Sequence, residues 1–233
     1  MSFYPISSVS TPESSSGKSS TVCVFCGSSA GNSPAYLAAA RSLAQCLHAN
    51  NINLVYGGGT IGLMGEVART LVSLSGPSSV HGIIPSALIK YEQSSDATSD
   101  PKTQAVPNEL IYGRTTVVQD MHTRKQMMAR EVVDGGRGGG FVALPGGYGT
   151  LEELMEMVTW NQLGIHAMGI VVFNVDGYYD GLMHWVKSAT AAGFVSEGNR
   201  GIIVEAKTAE EVVKSLTEYK LAEGRYNLEW AKV

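Results

Sequence analysis

The chain has few charges for its size. Lys, Arg, Asp and Glu make up 16% of its 233 residues, and the formal net charge is -4. Proteins that hold nucleic acid by bulk electrostatics carry an excess of Lys and Arg, so this balance argues against nucleic acid as a partner. Cysteine is scarce too, with only Cys23, Cys26 and Cys46. An odd, sparse set gives no disulfide framework and fits a reducing compartment. Cys23 and Cys26 have CxxC spacing, but no second pair accompanies them. Cys23 lies in the apolar run "TVCVFC", where a thiol behaves as a small hydrophobe. No run of 18 apolar residues occurs, so no transmembrane helix is expected. The start, "MSFYPISSVSTPESSSGKSS", lacks the apolar stretch of a secretory signal. The expectation is a soluble, cytoplasmic protein with no membrane partner. The five histidines are scattered, and nothing calls for a metal or a cofactor.

Hydrophobic residues reach 44%, enough for one large domain with a real core. The 27 glycines come in clusters without a fixed period, which excludes collagen. Residues 1–20 are serine-rich and read as a disordered tail; residues 21–233 read as one domain. Within it, apolar runs alternate with helical patterns. "TVCVFCGSS" precedes "SPAYLAAARSLAQCLHAN", where Ser33 can cap and Pro34 suits the first helical turn. "INLVYGGGTIGLMGEVARTLVSL" and "GFVALPGGYGTLEELMEMVTWNQLG" each repeat strand, glycine loop and helix. "VHGIIP", "GIVVF" and "GIIVE" supply further strands. The alternation predicts an α/β fold: a Rossmann-like, doubly wound parallel sheet with helices on both faces. Two segments break the rhythm. Residues 92–108 read as a polar surface loop, and "GGRGGG" (135–140) reads as an insertion before the next strand.

Three glycine-rich or polar turns follow strands: "CGSS" (26–29), "YGGGTIGLMG" (56–65) and "PGGYGT" (145–150). In an open parallel sheet, strand carboxyl ends share one edge, and ligands bind there at the switch in strand order. "GGGTIG" can be laid on a dinucleotide fingerprint, but it follows the second strand. No acidic residue sits where a ribose would need it. It is not a P-loop either, because no Gly-Lys-Ser/Thr follows. A mononucleotide phosphate is the economical ligand, and tight turns with close packing are the bland alternative. "DMHTRKQMMAREV" (120–132) reads as a helix with Arg124 and Lys125 leading into a Met-rich stretch. An arginine buried there needs an anionic partner.

Two carboxylates, Glu152 and Glu153, stand just inside the helix that follows "PGGYGT". Thr150-x-x-Glu153 has the spacing of a capping box, in which Thr caps the helix and Glu reaches back. Thr208-x-x-Glu211 has the same spacing with no glycine loop before it, and reads as a cap alone. Spacing leaves Glu153 open between cap and chemistry.

"PGGYGTLEE" and "GGGTIGLMG", with "MHTRK" between them, resemble the LONELY GUY family of cytokinin-activating phosphoribohydrolases. The family signature P-G-G-x-G-T-x-x-E is met by Pro145 to Glu153 without substitution, and the resemblance runs from about Thr21 to the C-terminal helix. It implies hydrolysis of the N-glycosidic bond of N6-substituted adenosine 5'-monophosphates, releasing base and ribose 5-phosphate. It implies Arg124 and Glu153 as the catalytic pair. Substrate contacts are then expected at Ser28, Gly58, Gly59, Thr60, Arg124, Lys125, Gly146, Gly147, Gly149, Thr150 and Glu153, with Met127 and Met128 near an apolar N6 substituent. A nucleoside monophosphate is the expected partner, and a homodimer or larger homo-oligomer the expected assembly. Members were often labelled lysine decarboxylases, yet nothing here reads as a pyridoxal-phosphate lysine site. Two other functions compete: a general AMP or purine nucleotide phosphoribohydrolase, and a non-catalytic nucleotide or cofactor carrier. The tail, the 92–108 loop and "GGRGGG" look like additions to the family pattern, and the last lengthens the spacing between Arg124 and Glu153.

Overall fold

A computed structural model describes residues 19–91 and 106–228. The expectations for residues 1–18 of the tail and 92–105 of the polar loop lie outside the described residues. The elements run β1 (Thr21–Phe25), α1 (Pro34–Ala49), β2 (Asn53–Tyr56), α2 (Gly62–Ser75), β3 (Val80–Pro85), α3 (Glu109–Tyr112) and β4 (Arg114–Val118). They continue with α4 (Met121–Val133), β5 (Gly140–Ala143), α5 (Tyr148–Gln162), β6 (Gly169–Phe173), α6 (Asp180–Ala191), β7 (Ile203–Ala206) and α7 (Ala209–Thr217). Among the described residues the strands form one sheet in the order β4-β3-β2-β1-β5-β6-β7, parallel throughout. The expected doubly wound fold is present.

Side chains alternate across each strand, so each buried strand feeds two cores. In β1, Val22 and Val24 pack with α1, α2 and α7, while Cys23 and Phe25 face α4, α5 and α6. Both faces are covered, which is why the strands read as continuous apolar runs. Local signals hold the helices in place. Ser33 caps α1, its hydroxyl oxygen accepting from the Ala35 N–H at 3.3 Å, and Pro34 fills the first position. Asp120 caps α4 by accepting from the Thr123 N–H at 2.8 Å.

One strand was not read from the sequence and one reading needs correction. β4, "RTTVV", is an edge strand with polar Thr residues; its β-branched run was the available clue. The stretch 135–140 is not wholly an inserted loop, because Gly140 begins β5 and pairs with Val22 and Gly169. A Cβ at Gly140 would lie 2.5 Å from the Gly169 carbonyl oxygen, so close strand and helix packing demands glycine there.

The strand order reverses at β1 and β5. After β1 the chain turns to the α1 face; after β5 it turns to the α5 face. The carboxyl ends of β1, β2 and β5, where the three glycine-rich turns lie, are therefore side by side.

Candidate active site

The turn after β5 meets the turn after β1 directly. The Gly27 N–H donates to the Pro145 carbonyl at 3.0 Å, and the Leu63 N–H at the start of α2 donates to the Gly27 carbonyl at 3.1 Å. Tyr178 donates its hydroxyl to the Gly146 carbonyl, and Tyr179 donates to the Leu144 carbonyl at 2.6 Å. These bonds make one braced rim from three turns. A cleft of about 300 Å³ opens against it, lined by Gly27–Gly31, Pro145–Gly147, Tyr36, Leu63 and Tyr178. Exposed Ser28 sits on this cleft.

α5 begins at Tyr148, with Gly147 as the N-cap residue and no side-chain cap. The first intrahelical bond runs from the Leu151 N–H to the Gly147 carbonyl. The N–H groups before it have no place in the helical ladder, and the dipole adds partial positive charge. Gly147 and Gly149 are exposed, and a Cβ at either would meet nothing within 4 Å. This is an open anion cradle. Thr150 is buried beneath it; a Cβ on Gly146 would lie 2.1 Å from its hydroxyl oxygen, so only glycine allows the loop to close over Thr150.

The helix start also bears on the capping reading of Glu153. Thr150 is already inside α5, so it cannot be the N-cap, and the capping-box reading of Thr150 and Glu153 fails. The matching stretch at α7 behaves as a cap: Thr208 is the N-cap residue and accepts from the Glu211 N–H at 3.2 Å, while Glu211 accepts from the Lys207 N–H at 2.7 Å. Glu153 instead lies in the second turn of α5, 8% exposed.

Its neighbour is Arg124, 5% exposed, on α4. Arg124 Nη2 lies 4.0 Å from Glu153 Oε1 and donates to the Gly57 carbonyl at 3.2 Å. The ion pair is longer than a hydrogen bond. Arg124 Nε is buried without a hydrogen-bond partner. The buried arginine has the anionic partner that burial requires. A Cβ on Gly57 would lie 1.9 Å from Nη2, so the first glycine of "GGGTIG" makes room for the guanidinium.

Other expected residues are placed as follows. Gly58, Gly59 and Thr60 are buried, with Gly58 packed against Ile83 and Ile84 of β3. Of the two glycine loops expected to meet the phosphate, the one at the start of α5 is therefore the exposed one. Lys125 is paired with Glu152 at 2.5 Å and Glu156 at 3.1 Å. Met128 is core at 1% exposure; Met127 packs partly buried against the same cluster. Cys23 is fully buried beneath, and burial first, with Glu153 next, pushes its thiol pKa up. Three contributors escaped sequence reasoning. Tyr178 sits in "DGYYDG", which carries no motif. The Asp120 cap was visible only as Asp-x-x-Thr before the helix. The role of Gly57 required knowing where Arg124 would fall.

Comparison with known proteins fits this geometry. A family described as "Possible lysine decarboxylase" matches residues 64–216. A bifunctional cytokinin biosynthesis protein of Fusarium pseudograminearum is 49% identical over 97% of this chain; the chain spans 46% of that protein's length. The cytokinin riboside 5'-monophosphate phosphoribohydrolase LOG4 of Arabidopsis thaliana is 44% identical, covering 85% of this chain and 82% of the relative. The probable enzyme LOGL3 of Oryza sativa is 46% identical, covering 84% and 83%. In fold the chain is similar to the molybdenum cofactor carrier protein of Chlamydomonas reinhardtii, at a TM-score of 0.59 and 15% identity over 86% of this chain and 98% of that one. It is also similar to DNA processing protein A of Helicobacter pylori, at 0.51 and 10% identity over 85% and 80%. At such identities the likeness concerns the fold alone. The curated relatives carry the assignment: the chain belongs to the LONELY GUY family of cytokinin riboside 5'-monophosphate phosphoribohydrolases, hydrolases of N-glycosyl bonds.

Proposed function

We propose that the chain hydrolyses the N-glycosidic bond of N6-substituted adenosine 5'-monophosphates, giving the free base and ribose 5-phosphate. The observation that carries this reading is the placement of Glu153: buried, outside the cap, and facing Arg124 just inside an open helix N-terminus. A ligand with two ends suits such a site. The 5'-phosphate sits on the N–H groups of the Gly146–Thr150 loop. Glu153 stands five residues into α5 from Tyr148, about 7 Å along the axis, within reach of the ribose.

Cleavage builds oxocarbenium character at the anomeric carbon. The Glu153 carboxylate stabilises that charge and orients the attacking water. The water oxygen bonds to C1', the C1'–N9 bond breaks, and its electron pair leaves with the base. The base takes up a proton, and the water loses one. Arg124, with Nη2 4.0 Å from Glu153 Oε1, keeps a positive charge beside the carboxylate, and its buried guanidinium assists the phosphate or the base. Ser28 and the cleft beside it accept the remaining parts of the nucleotide. No step calls for a cofactor. The enzyme works in the cytoplasm as a homodimer or larger homo-oligomer, with no nucleic acid or membrane partner. Among the described residues no helix is long and apolar enough to cross a membrane.

The test is product detection. Purified protein is incubated with isopentenyladenosine 5'-monophosphate, its riboside, and AMP, with Glu153→Gln as control. Base release from the monophosphates, lost in the variant, supports the reading, and the ratio of the two monophosphate rates measures cytokinin selectivity. Binding of AMP without product from any substrate would refute hydrolysis and favour a carrier.

A further inference from the structure

Arg124 and Lys125 are adjacent on α4, and both point toward α5, but to different carboxylates. Lys125 meets Glu152 and Glu156, with Nζ 2.5 Å and 3.1 Å from their oxygens. Those glutamates are four residues apart, so they lie one above the other on α5, beside Glu153. Two like charges so placed repel, and a single cation between them removes the repulsion. The Lys125 side chain is only 11% exposed, while Glu156 is 25% and Glu152 53% exposed. Burial alone would lower the Lys125 pKa; the two carboxylates outweigh it and raise the value above that of an ordinary lysine. The ammonium is therefore charged and held between two carboxylates, which make a poor setting for a phosphate.

The geometry points to Lys125 as a positioning residue. By gripping Glu152 and Glu156 it fixes α4 against α5, and so sets the separation of Arg124 and Glu153; it does not bind phosphate. This rests on the hydrolase reading above. It also divides the two carboxylates of "TLEE": Glu153 serves the reaction, and Glu152 holds the helix that brings Arg124 to it.

The decisive variant is Glu156→Gln, which weakens the grip from a position one turn beyond Glu153, away from the phosphate cradle. Lys125→Met and Lys125→Arg accompany it. Steady-state rates are measured on isopentenyladenosine 5'-monophosphate, with hydrogen–deuterium exchange over α4 and α5 and a thermal melt to verify folding. Expected are kcat losses of about 10- to 100-fold in Glu156→Gln and Lys125→Met, the scale of an ångström misplacement in a catalytic pair. KM stays within about twofold, α4 and the start of α5 exchange faster, and Lys125→Arg restores most of the rate. A phosphate-binding lysine predicts the opposite split: KM rising at least about tenfold in Lys125→Met, with Glu156→Gln silent. That result would overturn the proposal, as would full kcat and unchanged exchange in both variants. An inactive parent enzyme would sink the hydrolase reading and leave the exchange data to decide the helix clamp.

Discussion

Gly57→Ala isolates the position of Arg124 from its charge. Gly57 is buried, and its carbonyl accepts from Arg124 Nη2 at 3.2 Å. The added Cβ would start 1.9 Å from that same nitrogen, with Arg124 Cζ and Met64 Sδ both at 3.1 Å. The guanidinium must retreat by at least about 1 Å before the contact becomes tolerable, and it is walled in at 5% exposure. Retreat breaks the bond to the Gly57 carbonyl and moves Nη2 relative to Glu153. An ångström of misplacement costs about 100-fold in rate, or about 2.7 kcal/mol of transition-state stabilisation. Stability should fall less, by about 1 kcal/mol, because the clash is with the far end of a side chain. The assay is kcat for base release from isopentenyladenosine 5'-monophosphate, with a denaturant melt on the same sample. A folded variant with a rate within about threefold of the parent would refute the argument that the placement of Arg124 limits the chemistry.

Other expectations are more local. Glu153→Gln should fold, bind AMP by calorimetry, and lose turnover by roughly several hundredfold or more, as expected for removal of a charge aimed at a developing cation. Thr208→Ala should cost about 1 kcal/mol in a urea melt and leave kcat unchanged, because Thr208 is a helix cap remote from the site. Native thiols should react slowly with Ellman's reagent at pH 8 and quickly once unfolded. Burial pushes the Cys46 thiol up to about 11, with Glu210 adding to it, and Cys23 is fully buried. His166 predicts an acid-sensitive fold. Its Nε2 lies 2.9 Å from the Met157 carbonyl, its Nδ1 accepts from the Met168 N–H at 3.1 Å, and burial lowers its pKa to about 4. The unfolded chain takes up the proton first, so stability is full above pH 6.5 and falls by about 3 kcal/mol as pH drops toward 4. Urea melts at pH 7 and 4.5 check this, and a His166→Gln variant with an unchanged slope would refute the assignment.

What was legible in the sequence follows from which signals are local. A strand buried on both faces is a run of apolar residues, so β1, β2, β3, β5 and β6 announce themselves. β4 does not, because an edge strand exposes Arg114 and Val117 and keeps polar threonines. The glycine turns were visible as residue types, but the division of labour among them was not. Gly57–Thr60 and Gly146–Thr150 read as equal anion cradles; the first is buried and makes room for an arginine, and the second is open. Nor could Thr150-x-x-Glu153 be separated from Thr208-x-x-Glu211 by spacing. The difference is where the helix starts, and the Gly147 N-cap that decides it is set by the bonds bracing the loop to Gly27 and Tyr178.

The extra spacing between Arg124 and Glu153 bears on the same point. α4 follows β4 at one edge of the sheet, yet the next strand, β5, lies beyond β1. The crossover must therefore run back beneath β3, β2 and β1, and α4 packs against all three. Met128, Ala129 and Val132 bury it there, and Asp120 fixes its start. The sheet order thus carries Arg124 to Gly57 in the turn after β2, two strands from β4 and facing Glu153. Residues 134–139 come after this anchored helix, so they can lengthen without moving the guanidinium. Sequence distance between Arg124 and Glu153 is free to vary; the seat of α4 on the sheet and the Lys125 bridge to α5 are not.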